Sequence, residues 1–113
     1  MRIVSTAITH DELRQMTSES FGDLVKAVVD VDREVMAVDS ELHSDLERYL
    51  LEDGSRQYAL WGINLYPDAT EEDFVEFDSM INLRPAQGNR SRGVDDEAIR
   101  REIVRIVNKR VAP

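Results

Sequence analysis

Asp78, Asn82 and Arg84 lie in a run in which apolar and polar residues alternate. Successive side chains of a strand point to opposite faces. Val75, Phe77, Ser79, Ile81 and Leu83 therefore share one face, and Phe74, Glu76, Asp78, Met80, Asn82 and Arg84 the other. A carboxylate, an amide and a guanidinium on one side can hold a polar ligand. The preceding run, Tyr58 to Tyr66, adds Asn64 on its polar phase, and Gly62 leaves space above the sheet. Beyond Pro85, the loop Gln87-Gly88-Asn89-Arg90-Ser91-Arg92-Gly93 brings Asn89, Arg90 and Arg92 ahead of a helix, which are the ingredients of an anion site. The same residues also describe the wet face of a one-sided antiparallel sheet, with the loop arginines paired to Asp95, Asp96 and Glu97.

His43 is the second focus. Its unperturbed pKa suits acid–base work, with Asp78 as the other candidate acid or base. A partly buried, hydrogen-bonded histidine at a helix start would show the same sequence. Asp39-x-Glu41-x-His43-x-Asp45 would line up four donors if extended. The segment leads into a helix, however, and no second histidine is near, so no metal ligand set is assigned. Arg101, Arg105 and Lys109 recur every four residues, as a charged contact stripe or as the solvated side of a helix. There is no cysteine, nucleophile elbow, phosphate-binding loop or dinucleotide fingerprint, so no cofactor is expected and no reaction is defined.

The elements that position these residues follow from periodicity and caps. Arg2-Ile3-Val4 opens a short strand. Thr9 and Glu12 form a capping box, Ile8 and Leu13 a staple, and Leu13, Met16 and Phe21 an apolar helical face that Gly22 stops. Val25 to Val31 and Glu34 to Val38 read as a hairpin. Ser44 and Glu47 suggest a second capping box, with a helix over roughly residues 45–53. Strands at 58–66 and 74–84 follow, then a helix capped by Asp95, whose stripe is Ile99, Ile103, Ile106, Val107 and Val111. The order is β-α-β-β-α-β-β-α, an α+β fold with an antiparallel sheet and its helices on one face. Its first six elements match a ferredoxin-like core. Trp61, Ile63, Phe77, Ile81, Ile103 and Val107 are the expected core.

The 113 residues fit one domain, residues 1–113, and 42% hydrophobic residues suffice for one core. Residues 1–80 carry a net charge of −13 and residues 81–113 a net +4. The overall −9 argues against nucleic acid as a partner, while the opposed ends allow a homodimer. No signal-peptide pattern or membrane-length apolar run occurs, so a cytoplasmic location without membrane contact is expected.

Leu60-Trp61-Gly62-Ile63-Asn64-Leu65-Tyr66-Pro67 and Glu76-Phe77-Asp78-Ser79-Met80-Ile81-Asn82-Leu83-Arg84-Pro85, with the loop Gln87 to Val94, resemble a family of short prokaryotic proteins known as a domain of unknown function. The likeness runs from about Lys26 to the end and includes Leu42-His43. It implies a small soluble prokaryotic protein and transfers no activity, cofactor or catalytic residue. The residues themselves favour binding of a small anionic or polar ligand through Asn64, Asp78, Asn82, Arg84, Asn89, Arg90 and Arg92. The alternative is a non-catalytic interaction or homodimerising module.

Overall fold

In the computed structural model, which describes residues 1–19 and 22–113, the capping box at Thr9 and Glu12 forms. The Glu12 N–H donates to Thr9 Oγ1 at 3.0 Å, and the Thr9 N–H donates to Glu12 Oε1 at 3.2 Å. They start helix α1 (His10–Glu19). At its end the Gly22 N–H donates to the Thr17 carbonyl at 2.9 Å, with φ of +82°. A backbone turned this way favours a residue without Cβ. Phe21, expected to extend the apolar face, lies outside the described residues.

Strands β1 (Arg2–Val4), β3 (Val25–Asp30), β4 (Val35–Val38), β5 (Leu60–Leu65) and β6 (Val75–Glu76) form one antiparallel sheet in the order β1-β4-β3-β5-β6. Two further strands, β2 (Ile8–Thr9) and β7 (Val111–Ala112), pair in parallel. Helix α2 (His43–Glu52) links β4 to β5, and α3 (Glu97–Arg110) precedes β7. The antiparallel α+β class is as the periodicity implies.

The ferredoxin-like core is not what forms. In that arrangement the fourth strand lies beside the first; here β5 lies beside β3, and β1 remains at the sheet edge. One strand moved across the sheet also moves a helix. The β1-to-β3 and β4-to-β5 connections step the same way across the sheet, but from strands that run in opposite directions. Two crossovers of the same hand must then lie on opposite faces.

The packing is as that requires, and it corrects the expectation of helices on one face. Val25, Ala27, Val29, Met36, Trp61 and Ile63 are buried with Leu13 of α1 and Ile103, Ile106 and Val107 of α3. Val28, Val35, Ala37 and Leu60 are buried on the other face with Leu46 and Leu50 of α2. Leu46 and Leu50 have no exposed surface, and burial of each such side chain contributes about 1.5–3 kcal/mol. Two capping details also differ. Helix α2 starts at His43 with Leu42 as N-cap and no side-chain cap, so the Ser44–Glu47 box is absent. In α3 the cap is Asp96, which accepts from Ala98 and Ile99, because Asp95 instead accepts from the Arg90 N–H and the Ser91 hydroxyl.

The run from Phe74 to Arg84 does not continue as a strand. Pairing with β5 stops at Glu76, and residues 80–82 and 85–87 form 3-10 turns. Asn82 supplies the physical reason. Its buried amide accepts from the Gly62 N–H at 2.8 Å and donates to the Gly62 carbonyl at 2.9 Å, taking the place of a backbone partner along the free edge of β5. It also donates to the Arg92 carbonyl at 3.0 Å. Short polar side chains compete with backbone ladders in this way. Ser79 presses so close that a Cβ on Gly62 would stand 2.5 Å from Ser79 Cβ and Oγ. With the strand broken, Phe77 and Ile81, expected together in the core, are half-buried against opposite faces of the sheet.

The β3–β4 turn is anchored from outside. Asp30 Oδ1 accepts from the Asp32 and Arg33 N–H groups, and Glu34, with φ of +57°, accepts from Arg105 and Lys109 at 2.8 Å each. Arg110 Nε donates to the Glu34 carbonyl at 2.8 Å. Much of the basic edge of α3 is thus engaged with this hairpin, while Arg101 lies 3.9 Å from Glu97.

Asn82→Ala strands three backbone groups and is expected to cost at least about 3 kcal/mol in chemical denaturation. Gly62→Ala should destabilise, and adding Ser79→Gly should restore part of the loss; equal stability of the single and double variants would refute the close-contact account. The bonds from Arg105 and Lys109 hold the Glu34 carboxyl at about 2, below the usual 4.5. A carboxyl depressed on folding stabilises above its unfolded pKa, and that stability is lost as pH falls through the folded value. The melting-temperature advantage of the native chain over Glu34→Gln should therefore shrink between about pH 5 and pH 2.

Candidate functional site

Of the residues singled out in the sequence, Asn82, Arg84 and Asn89 are committed to holding the chain. Arg84 donates to the Gln57 carbonyl at 2.7 Å and to the Leu60 carbonyl, and its guanidinium lies 4.2 Å from the centroid of the Trp61 ring. Burial lowers its pKa, opposed by the charge of Glu47. Asn89 donates to the carbonyls of Asn82 and Gly93 and accepts from the Asp95 N–H, tying the loop of residues 85–93 to the start of α3. Arg90 is exposed. The arginines therefore do not gather around Asp78, which pairs with Arg92, Nε to Oδ1 at 2.8 Å, and not with Arg84.

His43, Asn64, Asp78 and Arg92 do converge. They line a cleft of about 530 Å³ on the sheet face that α2 covers, beside the first turn of that helix. Its floor is one rung of the sheet: Lys26 of β3 opposite Asn64 of β5, and Asn64 opposite Glu76 of β6. Asn64 Nδ2 donates to Glu76 Oε1 at 2.8 Å, and the Tyr66 hydroxyl donates to the same oxygen at 3.0 Å. Burial and the Glu76 carboxylate raise the Tyr66 pKa, so it remains a donor at neutral pH. Only 7% of Asn64 is exposed, and its Oδ1 meets no donor among the described residues. A buried carbonyl in that state costs about 1–3 kcal/mol. Leu24, Leu42, Met80 and Ile81 complete the walls, with Leu42 53% and Met80 62% exposed.

His43 closes the inner end. Its Nε2 lies 2.7 Å from the Ile63 carbonyl, an acceptor, so Nε2 carries the proton and Nδ1 is the acceptor of the neutral ring. Burial pushes the imidazole below its usual 6.5, opposed by the Ile63 bond and by the Asp78 charge. Because α2 opens without a side-chain cap, the N–H groups of His43 and Ser44, two residues lining the cleft, add a partial positive charge.

The acidic neighbours of His43 scatter. Asp39 lies 3.8 Å from the amino terminus, and Asp45 lies 3.2 Å from Arg48. Among the described residues no group of three or more His, Cys, Asp or Glu could hold a metal ion. His10 is half-buried, its Nδ1 3.2 Å from the Ala112 carbonyl and its ring 5.3 Å from that of Phe74. Sequence reasoning missed Lys26, Tyr66 and Glu76. The signal was present in their phase: each shares the parity of Asn64 within its strand or just beyond it.

Fold and cleft define an α+β protein with a charged pocket between an antiparallel sheet and an uncapped helix start. A family described as "Protein of unknown function (DUF5674)" matches residues 2–110, and the chain belongs to that family. No curated protein and no solved structure matches it. Among the described residues no helix is long and apolar enough to cross a membrane.

A histidine held neutral in the fold lets the unfolded chain bind the extra proton first, so its stability contribution is present above about 6.5 and falls as the medium is acidified. Between about pH 8 and pH 5 the melting temperature of the native protein should fall more steeply than that of His43→Gln, and parallel curves would show that His43 is not the titrating group.

Proposed function

We propose that the protein binds a small polar or anionic ligand in the cleft between the start of α2 and the rung Lys26–Asn64–Glu76. The observation that carries this reading is Oδ1 of Asn64, nine-tenths buried and without a donor among the described residues, in a pocket where hydrogen bonds hold His43, Asn64 and Glu76. Preformed pockets of this size, with a few convergent polar groups, are the usual form of small-molecule sites. The uncapped first turn of α2, Lys26 and Arg92 suit a carboxylate or phosphate. His43, with Nδ1 as the acceptor of its neutral ring, and Asp78 are the groups placed to exchange a proton with a bound molecule.

Inorganic phosphate, a dicarboxylate and neutral and charged amino acids, titrated singly into the labelled protein, are the test. At least one should raise the melting temperature and shift the amide resonances of His43, Ser44 and Asn64. The combined variant Lys26→Ala and Arg92→Ala should lose the response, and Arg101→Ala, on the far side of α3, should keep it. Shifts confined to Arg101 and its neighbours, or no response to any probe, would reject the cleft as a binding site.

A further inference from the structure

The side-chain amide of Asn64 has one permissible orientation. Its Nδ2 lies 2.8 Å from Glu76 Oε1 and 3.3 Å from the Asp78 carbonyl, both acceptors, so the nitrogen must stand there and Oδ1 is turned from them. The Tyr66 hydroxyl donates to the same Glu76 oxygen and holds it in place. Asn64 is only 7% exposed, and Oδ1 has no donor among the described residues. The cleft therefore calls for a hydrogen at this atom.

Donors stand beside it. His43 Nε2 bonds the Ile63 carbonyl, one peptide link from Asn64, which seats the first turn of α2 next to that residue. The N–H groups of Asp45 and Leu46 turn back to the Leu42 carbonyl and no side chain caps the turn, so those of His43 and Ser44 are its outward donors. An orphaned acceptor and a pair of donors thus belong to residues that line one cleft.

A carboxylate or an unprotonated phosphate can take the α2 donors but has no hydrogen for Oδ1, and it meets Glu76 and Asp78 as like charges. An ammonium serves Oδ1 but sets its charge against the positive end of the helix. Lys26 and Arg92 have partners of their own and require none from the ligand. A neutral carboxamide answers both sides: its carbonyl accepts from the first turn, its N–H donates to Oδ1, and no net charge has to leave water at the inner end, which the neutral His43 ring closes. Leu24, Leu42, Met80 and Ile81 offer the rest of the molecule an apolar wall.

We infer that the cleft takes a small molecule with a neutral primary carboxamide on an apolar or aromatic body, its amide N–H on Asn64 Oδ1 and its carbonyl at the start of α2. This rests on the cleft being the binding site, and it selects the polar ligand over the anionic one.

The experiment titrates the whole labelled chain, followed by its amide resonances, with four probes built on one ring: benzamide, benzoate, benzamidine and N,N-dimethylbenzamide. Benzamide should shift His43, Ser44 and Asn64, and each of the others should bind at least about tenfold more weakly, since a site that reads a hydrogen-bonding group rejects the analogue lacking it. Asn64→Ala should weaken benzamide by a similar factor. Benzoate binding as tightly as benzamide would overturn the carboxamide and leave an anion site, and benzamidine doing so would make it a cation site. Equal binding of N,N-dimethylbenzamide would show that Oδ1 reads nothing. A folded Asn64→Ala protein that binds benzamide as the parent does would overturn the assignment too; if that variant does not fold, the four probes on the native chain decide. Silence of all four beside a response to phosphate or a dicarboxylate would refute the carboxamide and spare the cleft, whereas silence of every probe would remove the cleft itself.

Discussion

The side-chain amide of Asn82 bonded to both backbone groups of Gly62 is the constraint on which the far side of the molecule depends. It seals the edge of β5 without adding a strand, and so frees the chain after Glu76 to leave the sheet. Departure of the chain at that point allows Asp78 and Ser79 to rise beside the cleft and brings the Arg92 backbone within reach of Ser79 and Asn82. Gly62 is the counterpart, because a side chain there would drive Ser79 away. An exposed strand edge is a hazard for association between chains. Here one amide and one tight turn cover it and also build a wall of the pocket.

The second organising fact is the position of β5 on the free side of β3. With both crossovers of one hand, it sends α2 to the opposite face from α1 and α3 and makes β3 a central strand buried on both sides. Helix α2 covers only part of its face, and the uncovered remainder is the rung Lys26–Asn64–Glu76. The pocket exists because the helix is short relative to the sheet it lies on.

Local signals were legible where the chain's own backbone satisfied them. Thr9 and Glu12 cap α1 as their spacing implies, and the alternation at Val25 to Asp30 and Leu60 to Leu65 marks true strands. The alternation after Val75 was as regular and still failed, because hydrogen bonds from Asn82 and Ser79 compete with a ladder and periodicity does not register them. Val28 and Leu60, apolar on the phase of Lys26 and of Asn64, were the trace of a helix on the second face. Of the expected site residues, His43, Asn64, Asp78 and Arg92 meet because register and the α2 start bring them together. Arg84 and Asn89 belong to the scaffold, since tertiary carbonyls, which sequence does not display, claimed their donors.

The small parallel pair β2–β7 has a consequence for how the molecule opens and closes. Its ladder, and the His10 contact with the Ala112 carbonyl beside it, join positions about 102 residues apart. Closing so long a span carries a large entropic penalty unless the intervening chain is already compact, so this latch sets late in folding. With two residues on each side it is as short a ladder as the one between β5 and β6, and it should open early in the native state, exchanging its amides while β3 stays protected. The ends of α1 and α3 are thereby coupled: fraying of one releases the other, and the two behave as one cooperative unit although the sequence places them at opposite ends.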